Sequence, residues 1–177
     1  MIPPPQPVLL KDGRTVVLRP AAPTDAESLI AFVDGVGAEG VYITTEKMRY
    51  TVPEEREFIG KIDGHTALFL VATLDGALVG SMDLIRGSET KNAHTASVGI
   101  AIRKDLRGLG LGKAMMEAGI RWARSVGIHK LTLGVFATNE RALALYRKLG
   151  FEEEGRLKGQ VLLAGLPVDE LRMALWV

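Results

Sequence analysis

The chain has 177 residues, 47% of them hydrophobic and 24% charged, which is the size and balance of one water-soluble globular domain with a sizeable core. A net charge of +1 argues against a general nucleic-acid binder, the lack of cysteine excludes disulfides and thiolate chemistry, and three scattered histidines (His65, His94, His129) have no metal-ligand spacing. The start MIPPPQPVLL is unlike a signal peptide, and no segment approaches the ~20 apolar residues of a membrane span, so the expectation is a cytoplasmic protein with no membrane or nucleic-acid partner and no metal.

Residues 1–7 hold four of the eight prolines and are expected to form an extended lead-in. Val8–Leu10 and Thr15–Arg19 flank Asp12-Gly13, a hairpin signal. Thr24-Asp25-Ala26-Glu27 reads as a capping box, and Ala26, Leu29, Ile30 and Val33 behind it predict a helix that ends near Gly35. After an irregular stretch to Tyr50, a second box, Thr51-Val52-Pro53-Glu54, starts a helix that carries Phe58, Ile59 and Ile62 and stops near Gly64. These two short helices and the loop between them have the character of a substrate lip. Ala67–Thr73 and Leu78–Ile85, joined by Asp75-Gly76, read as a central antiparallel hairpin, with Asp83 interrupting its second strand.

His94–Ile102 is the next strand, and three glycines at alternate positions (Gly108, Gly110, Gly112) then open a helix with apolar positions Leu111, Met115, Ala118, Trp122 and Val126. Glycines there let backbone N–H groups converge in front of a helix dipole, which makes a phosphate cradle. Neither common nucleotide pattern fits: Gly112-Lys113 is followed by Ala114 instead of Ser or Thr, and Gly-x-Gly-x-x-Gly would need glycine at Lys113 or Met115. Lys130–Phe136 alternates as a strand. Thr138 or Asn139 caps a helix with Ala142, Leu145, Tyr146 and Leu149 on its inner face, closed by Gly150. Phe151–Leu163 and Val168–Trp176 flank Ala164-Gly165-Leu166-Pro167 as a closing strand pair. The whole is a single domain, 1–177, built around one mixed sheet.

Arg107-x-x-Gly110-x-Gly112 resembles the acetyl-CoA pyrophosphate loop of the GCN5-related N-acetyltransferases, the GNAT family, whose pattern is Gln/Arg-x-x-Gly-x-Gly/Ala. Asn139 to Phe151 is similar to the family's second signature, Asn-x-x-Ala-x-x-Leu-Tyr-x-x-x-Gly-Phe, at all its fixed positions. The ending, from Glu154-Gly155 to Val168–Met173, resembles the branch that acylates free amino acids and ribosomal-protein N-termini. The resemblance implies an α+β (mixed α/β) GNAT fold: a mixed, mostly antiparallel sheet of six to seven strands with about four helices packed on both faces.

It also implies a function: transfer of the acetyl group of acetyl-CoA to a primary amine, a small molecule or a peptide N-terminus, by direct attack. In the family the fourth and fifth strands splay and the pantetheine arm enters the gap, here against backbone groups of Ile100 and Ile102. The loop Arg107, Gly108, Leu109, Gly110, Leu111, Gly112 and Lys113 would take the pyrophosphate, with Arg107 and Lys113 as candidates for its charges. Asn139 would contact the cofactor arm, and Tyr146 would protonate the departing thiolate. Many relatives carry a glutamate base near the position of Ser97, and this chain does not. His94, Asp83, Glu54 or Glu55 acting through water, or no dedicated base, are the alternatives, with His94 taken as the catalytic candidate beside Tyr146. A non-catalytic acyl-CoA-binding module is the alternative function, and a homodimer is compatible with either.

Overall fold

The computed structural model describes residues 2–177. Its elements are β1 (Gln6–Leu9), β2 (Thr15–Pro20), α1 (Ala26–Gly37), α2 (Val52–Gly60), β3 (Ala67–Leu74), β4 (Ala77–Arg86), β5 (Thr95–Ile102), α3 (Leu111–Ser125), β6 (Lys130–Phe136), α4 (Glu140–Lys148), β7 (Glu152–Leu163) and β8 (Leu166–Trp176). The strands form one sheet in the order β1-β2-β3-β4-β5-β6-β8-β7, antiparallel throughout except for β5 and β6. Eight strands are present where six to seven were expected. β1 begins inside the proline-rich start, two residues ahead of the Val8 expected from the sequence. Pro7 is tolerated there because β1 is an edge strand whose outer side needs no N–H donor.

The turns follow their residues. Asp75 and Gly76 both take positive φ (50° and 81°), as do Ala164 and Gly165 (49° and 79°), the geometry of tight hairpins. The box at Thr51 forms as expected, with the Thr51 N–H donating to Glu54 Oε2 at 2.7 Å. The one at Thr24 does not. Asp25 instead accepts from the Ala22 N–H at 2.8 Å and holds the Arg19 guanidinium at 2.7 and 2.8 Å, so α1 begins after a short 3-10 turn at Pro23–Asp25.

The sheet separates two apolar clusters. On β3, Leu68, Leu70 and Ala72 face α3 and pack in the cluster of Met115, Met116 and Trp122. Phe69 and Val71 point the other way, against Ala26 and Leu29 of α1 and Ile59 of α2. Helices therefore cover both faces, and the buried Trp122 Nε1–H, donating to the Gly64 carbonyl at 2.8 Å, ties α3 to the segment ahead of β3. Among the described residues no helix is long and apolar enough to cross a membrane.

One feature of the register positions the site. β5 and β6 pair only at Thr95–Lys130, Ala96–Leu131 and Ser97–Thr132. Beyond Ser97 each strand follows its other neighbour, β5 staying on β4 to Ile102 and β6 on β8 to Phe136, so the sheet opens into a split.

Candidate active site

The β5 backbone alternates in phase along that split. Antiparallel pairs alternate between residues that exchange both hydrogen bonds and residues that exchange none. The Arg103 N–H donates to the Val79 carbonyl and the Gly87 N–H to the Thr95 carbonyl, each to its partner in register. Residues 97, 99 and 101 therefore bond to β4, while Val98, Ile100 and Ile102 turn their N–H and C=O groups into the split. With β6 gone from that side, these groups need partners that an extended amide chain can supply.

A cavity of ≈ 840 Å³ occupies the split. Its lining comes from both faces of the sheet: Ala142, Leu145 and Tyr146 of α4 on one, Val36 and Tyr42–Thr44 on the other. At one end stand Gly108, Gly110, Gly112 and Lys113 of the loop into α3. Gly108 (φ 79°) and Gly110 (φ 102°) are in the left-handed region, and a Cβ on either would project into open space. Backbone conformation, not crowding, requires glycine there. Gly112 is different: its Cβ would stand 3.1 Å from Ile102 Cδ1 and 3.2 Å from Leu145 Cδ2. Among the described residues no side chain caps α3, so its first-turn N–H groups face outward without acceptors. Leu109 and Leu111 turn into the core and contribute only backbone, and the Leu109 carbonyl is used by the Lys11 N–H at 3.0 Å. Left-handed glycines, an uncapped helix start and a neighbouring lysine beside a long groove are chemically suited to an extended anionic ligand such as acetyl-CoA.

The charged residues divide. Lys113 is half-exposed and loosely paired with Glu117 at 3.3 Å. Arg107, in contrast, is fully engaged. Its Nε donates to the Ile102 carbonyl at 2.8 Å, its two terminal nitrogens grip Glu39 at 2.7 and 2.6 Å, and its guanidinium lies 4.4 Å from the Tyr42 ring centre. Arg107 thus holds the segment after α1 over the cavity, and its hydrogen bonds to Glu39, with its charge, hold that carboxyl below the usual range. Lys11, Arg141 and Lys148 also line the cavity. Sequence reasoning missed them because each is a surface cation with no pattern around it.

Asn139 caps α4, accepting from the Ala142 N–H at 3.2 Å, and lines the cavity as well. Tyr146 is 6% exposed, with its ring 5.7 Å from that of Phe151. Its hydroxyl has no hydrogen-bond partner among the described residues, and burial pushes its pKa up to about 12. The phenol is therefore a proton donor throughout the physiological range. His94 lies apart from this group. It is exposed at the paired end of β5 and does not line the cavity. Four residues of strand, ~13 Å, separate it from Val98, where the split begins. The Ser97 hydroxyl reaches only the Ile85 carbonyl at 3.5 Å. Among the described residues no group of His, Cys, Asp or Glu is arranged to hold a metal ion.

The sequence model of the acetyltransferase (GNAT) family matches residues 39–151. The L-amino acid N-acetyltransferase AaaT of Escherichia coli (strain K12) is 33% identical over 109 residues, 59% of this chain and 65% of that protein, so the match spans just under two thirds of that relative. Among solved structures, a GNAT-family acetyltransferase from Streptococcus pneumoniae superposes with a TM-score of 0.87 at 28% identity, covering 92% of this chain and 99% of that one. A phosphinothricin acetyltransferase from Sinorhizobium meliloti, solved in complex with AcCoA, shares the fold with a TM-score of 0.81 at 22% identity over 92% of this chain and 88% of that one.

Proposed function

The chain belongs to the acetyltransferase (GNAT) family, and from that premise we propose that it is an N-acetyltransferase that uses acetyl-CoA to acetylate a primary amine by direct attack. The observation that carries this reading is the parting of β5 and β6 after three residue pairs, with a cavity running through the gap. The gap-facing amides of Ile100 and Ile102 would hold the pantetheine arm, apart from the Ile102 carbonyl that Arg107 already occupies. The first turn of α3 and the loop Gly108–Lys113 would hold the pyrophosphate, with Lys113, Lys11, Arg141 and Lys148 supplying positive charge. Asn139 has an unused amide nitrogen toward the same groove.

The donor supplies an activated acetyl carbon and a thiol leaving group. This chain's part is to orient that carbon in the split, exclude water and handle the protons. Tyr146, protonated and without a competing partner, gives its proton to the departing sulfur. Arg107 is a positioning residue in this scheme, since it fixes the Tyr42 segment that closes the cavity. His94 has no part in it.

The experiment is to follow free thiol when acetyl-CoA is mixed with the purified chain and a panel of primary amines. Amine-dependent CoA release supports the reading. Tight acetyl-CoA binding with no release for any amine would instead favour the non-catalytic module, which the serine at position 97 makes a real competitor.

A further inference from the structure

The α1–α2 face of the sheet carries a group that the scheme above leaves unused. Asp83 of β4 stands directly opposite Gly99 of β5. A Cβ on Gly99 would come within 2.6 Å of Asp83 Oδ1 and 3.3 Å of Oδ2. The carboxylate therefore occupies the space that Gly99 leaves free, beside the cavity that Gly99 lines but not itself part of that lining.

Its neighbours decide its character. In register, β3 offers Phe69. From α1 come apolar Leu29, Phe32 and Val33, while Asp34 of that helix is tied to the Met48 N–H. From α2 comes Glu55, only 2% exposed. Neither Asp83 nor Glu55 receives an ion pair or a side-chain hydrogen bond from another described residue. Burial pushes Asp83 up to about 6, and burial together with the Asp83 charge pushes Glu55 up. Two neighbouring carboxylates withdrawn from water without a cation destabilise a fold, and such arrangements cluster where they do chemistry.

The faces matter too. Even-numbered β5 residues pack with α3 and α4, so Ser97, Gly99 and Ala101 point to the opposite face. Gly134 of β6 shares that face with Glu170 of β8, whose carboxylate fills the place a Cβ on Gly134 would take. Both strands of the split thus show glycine and a carboxylate on the α1–α2 face, whereas Tyr146 stands with α4 on the other. A carboxylate on one face and a phenol on the other thus stand on opposite sides of the split.

Resting on the acetyltransferase reading, we propose that the acceptor enters as a cationic primary ammonium on the α1–α2 face over Gly99, and that Asp83 is the catalytic residue that removes its proton. The protons balance. R–NH₃⁺ gives one to the Asp83 carboxylate, which returns it to solvent. The freed lone pair forms the C–N bond to the acetyl carbon as the C–S bond breaks. Tyr146 protonates the sulfur and recovers a proton from the second N–H lost as the amide forms. The net products are the acetamide, CoA thiol and one proton. The acid–base role falls to Asp83 because the strand position of Ser97 offers no carboxylate.

The test compares wild type with Asp83→Asn and Glu55→Gln, using butylamine, putrescine, free L-amino acids and an alanine-started peptide as acceptors, with acetyl-CoA affinity measured by calorimetry. Asp83→Asn is expected to keep acetyl-CoA affinity within about twofold and to lose roughly 10²–10⁴-fold in kcat/KM for the amine. Its profile should lack the acid limb near pH 6 and climb as solvent deprotonates the amine. Glu55→Gln should keep both the plateau and the limb, because burial and not Glu55 raises Asp83. Wild-type kcat/KM and an unchanged limb in Asp83→Asn overturn the proposal and leave acetyl transfer standing. A wild-type chain that binds acetyl-CoA yet acetylates none of these amines overturns the transferase reading, and this assignment with it.

Discussion

The Asp83 carboxylate should make the protein less stable near neutral pH than in mild acid, and Asp83→Asn should remove its share of that dependence, leaving the part carried by Glu55, which burial also raises. Unfolded, the group titrates at its ordinary 3.8; folded, it titrates at about 6. An acid raised on folding contributes stability that is fully present below the unfolded value and is lost as pH rises through the folded one. The shift of about two units corresponds to about 3 kcal/mol in all, of which about 2 kcal/mol is lost between pH 4.5 and 7.5. Asp63 and Asp105, both held at about 2, stay ionised across that window and cancel in the comparison. Urea unfolding of wild type and Asp83→Asn at several pH values measures the difference directly. Relative to the variant, wild type should fall by about 2 kcal/mol on going from pH 4.5 to 7.5, or roughly 4–8 °C in Tm. Parallel pH curves would refute the reasoning, because they would mean that Asp83 is solvated and free to ionise at its ordinary value.

Tyr146→Phe should slow amine-dependent CoA release by roughly 10²–10⁴-fold while leaving acetyl-CoA affinity nearly unchanged, since only the transferable proton is lost; full turnover in the variant would remove Tyr146 from the chemistry. Gly110→Ala forces a Cβ into φ 102°, a strain of about 1–2 kcal/mol, and should weaken acetyl-CoA binding in calorimetry. Gly35→Ala, in α1 with nothing within 4 Å of its Cβ, should instead stabilise by about 0.5–1 kcal/mol in urea unfolding. Glu39→Gln releases the Arg107 guanidinium and should raise KM for acetyl-CoA several-fold with kcat within about twofold, because the change acts on the Tyr42 segment and not on the reacting groups.

What the sequence revealed was local. Alternate glycines, Asp-Gly turns, the Thr51–Glu54 box and the spacing of Asn139, Tyr146 and Gly150 each depend on residues within one or two turns of chain, where backbone chemistry is decided by near neighbours. The misread box at Thr24 shows the limit: Asp25, held by Arg19 of the preceding strand, closes a turn onto the Ala22 N–H and moves the helical start ahead of Thr24. The illegible features are longer in range. Arg107 reads as a phosphate ligand until Glu39, sixty-eight residues earlier, is found gripping it. Asp83 reads as an interruption of a strand and one of several base candidates until the β4–β5 register places it over Gly99 and α2 places Glu55 beside it. Even the splay of the strands was expected only from the family resemblance. Its direct cause, the loss of pairing after Ser97, is a property of the sheet and not of any stretch of residues.

The most direct measurement of the account is thiol release from acetyl-CoA by the purified chain across the amine panel, run beside Tyr146→Phe and Asp83→Asn. The account predicts acetyl transfer to at least one primary amine, falling steeply in both variants while each still binds acetyl-CoA. Binding of acetyl-CoA with no transfer to any amine, in wild type and variants alike, would contradict it.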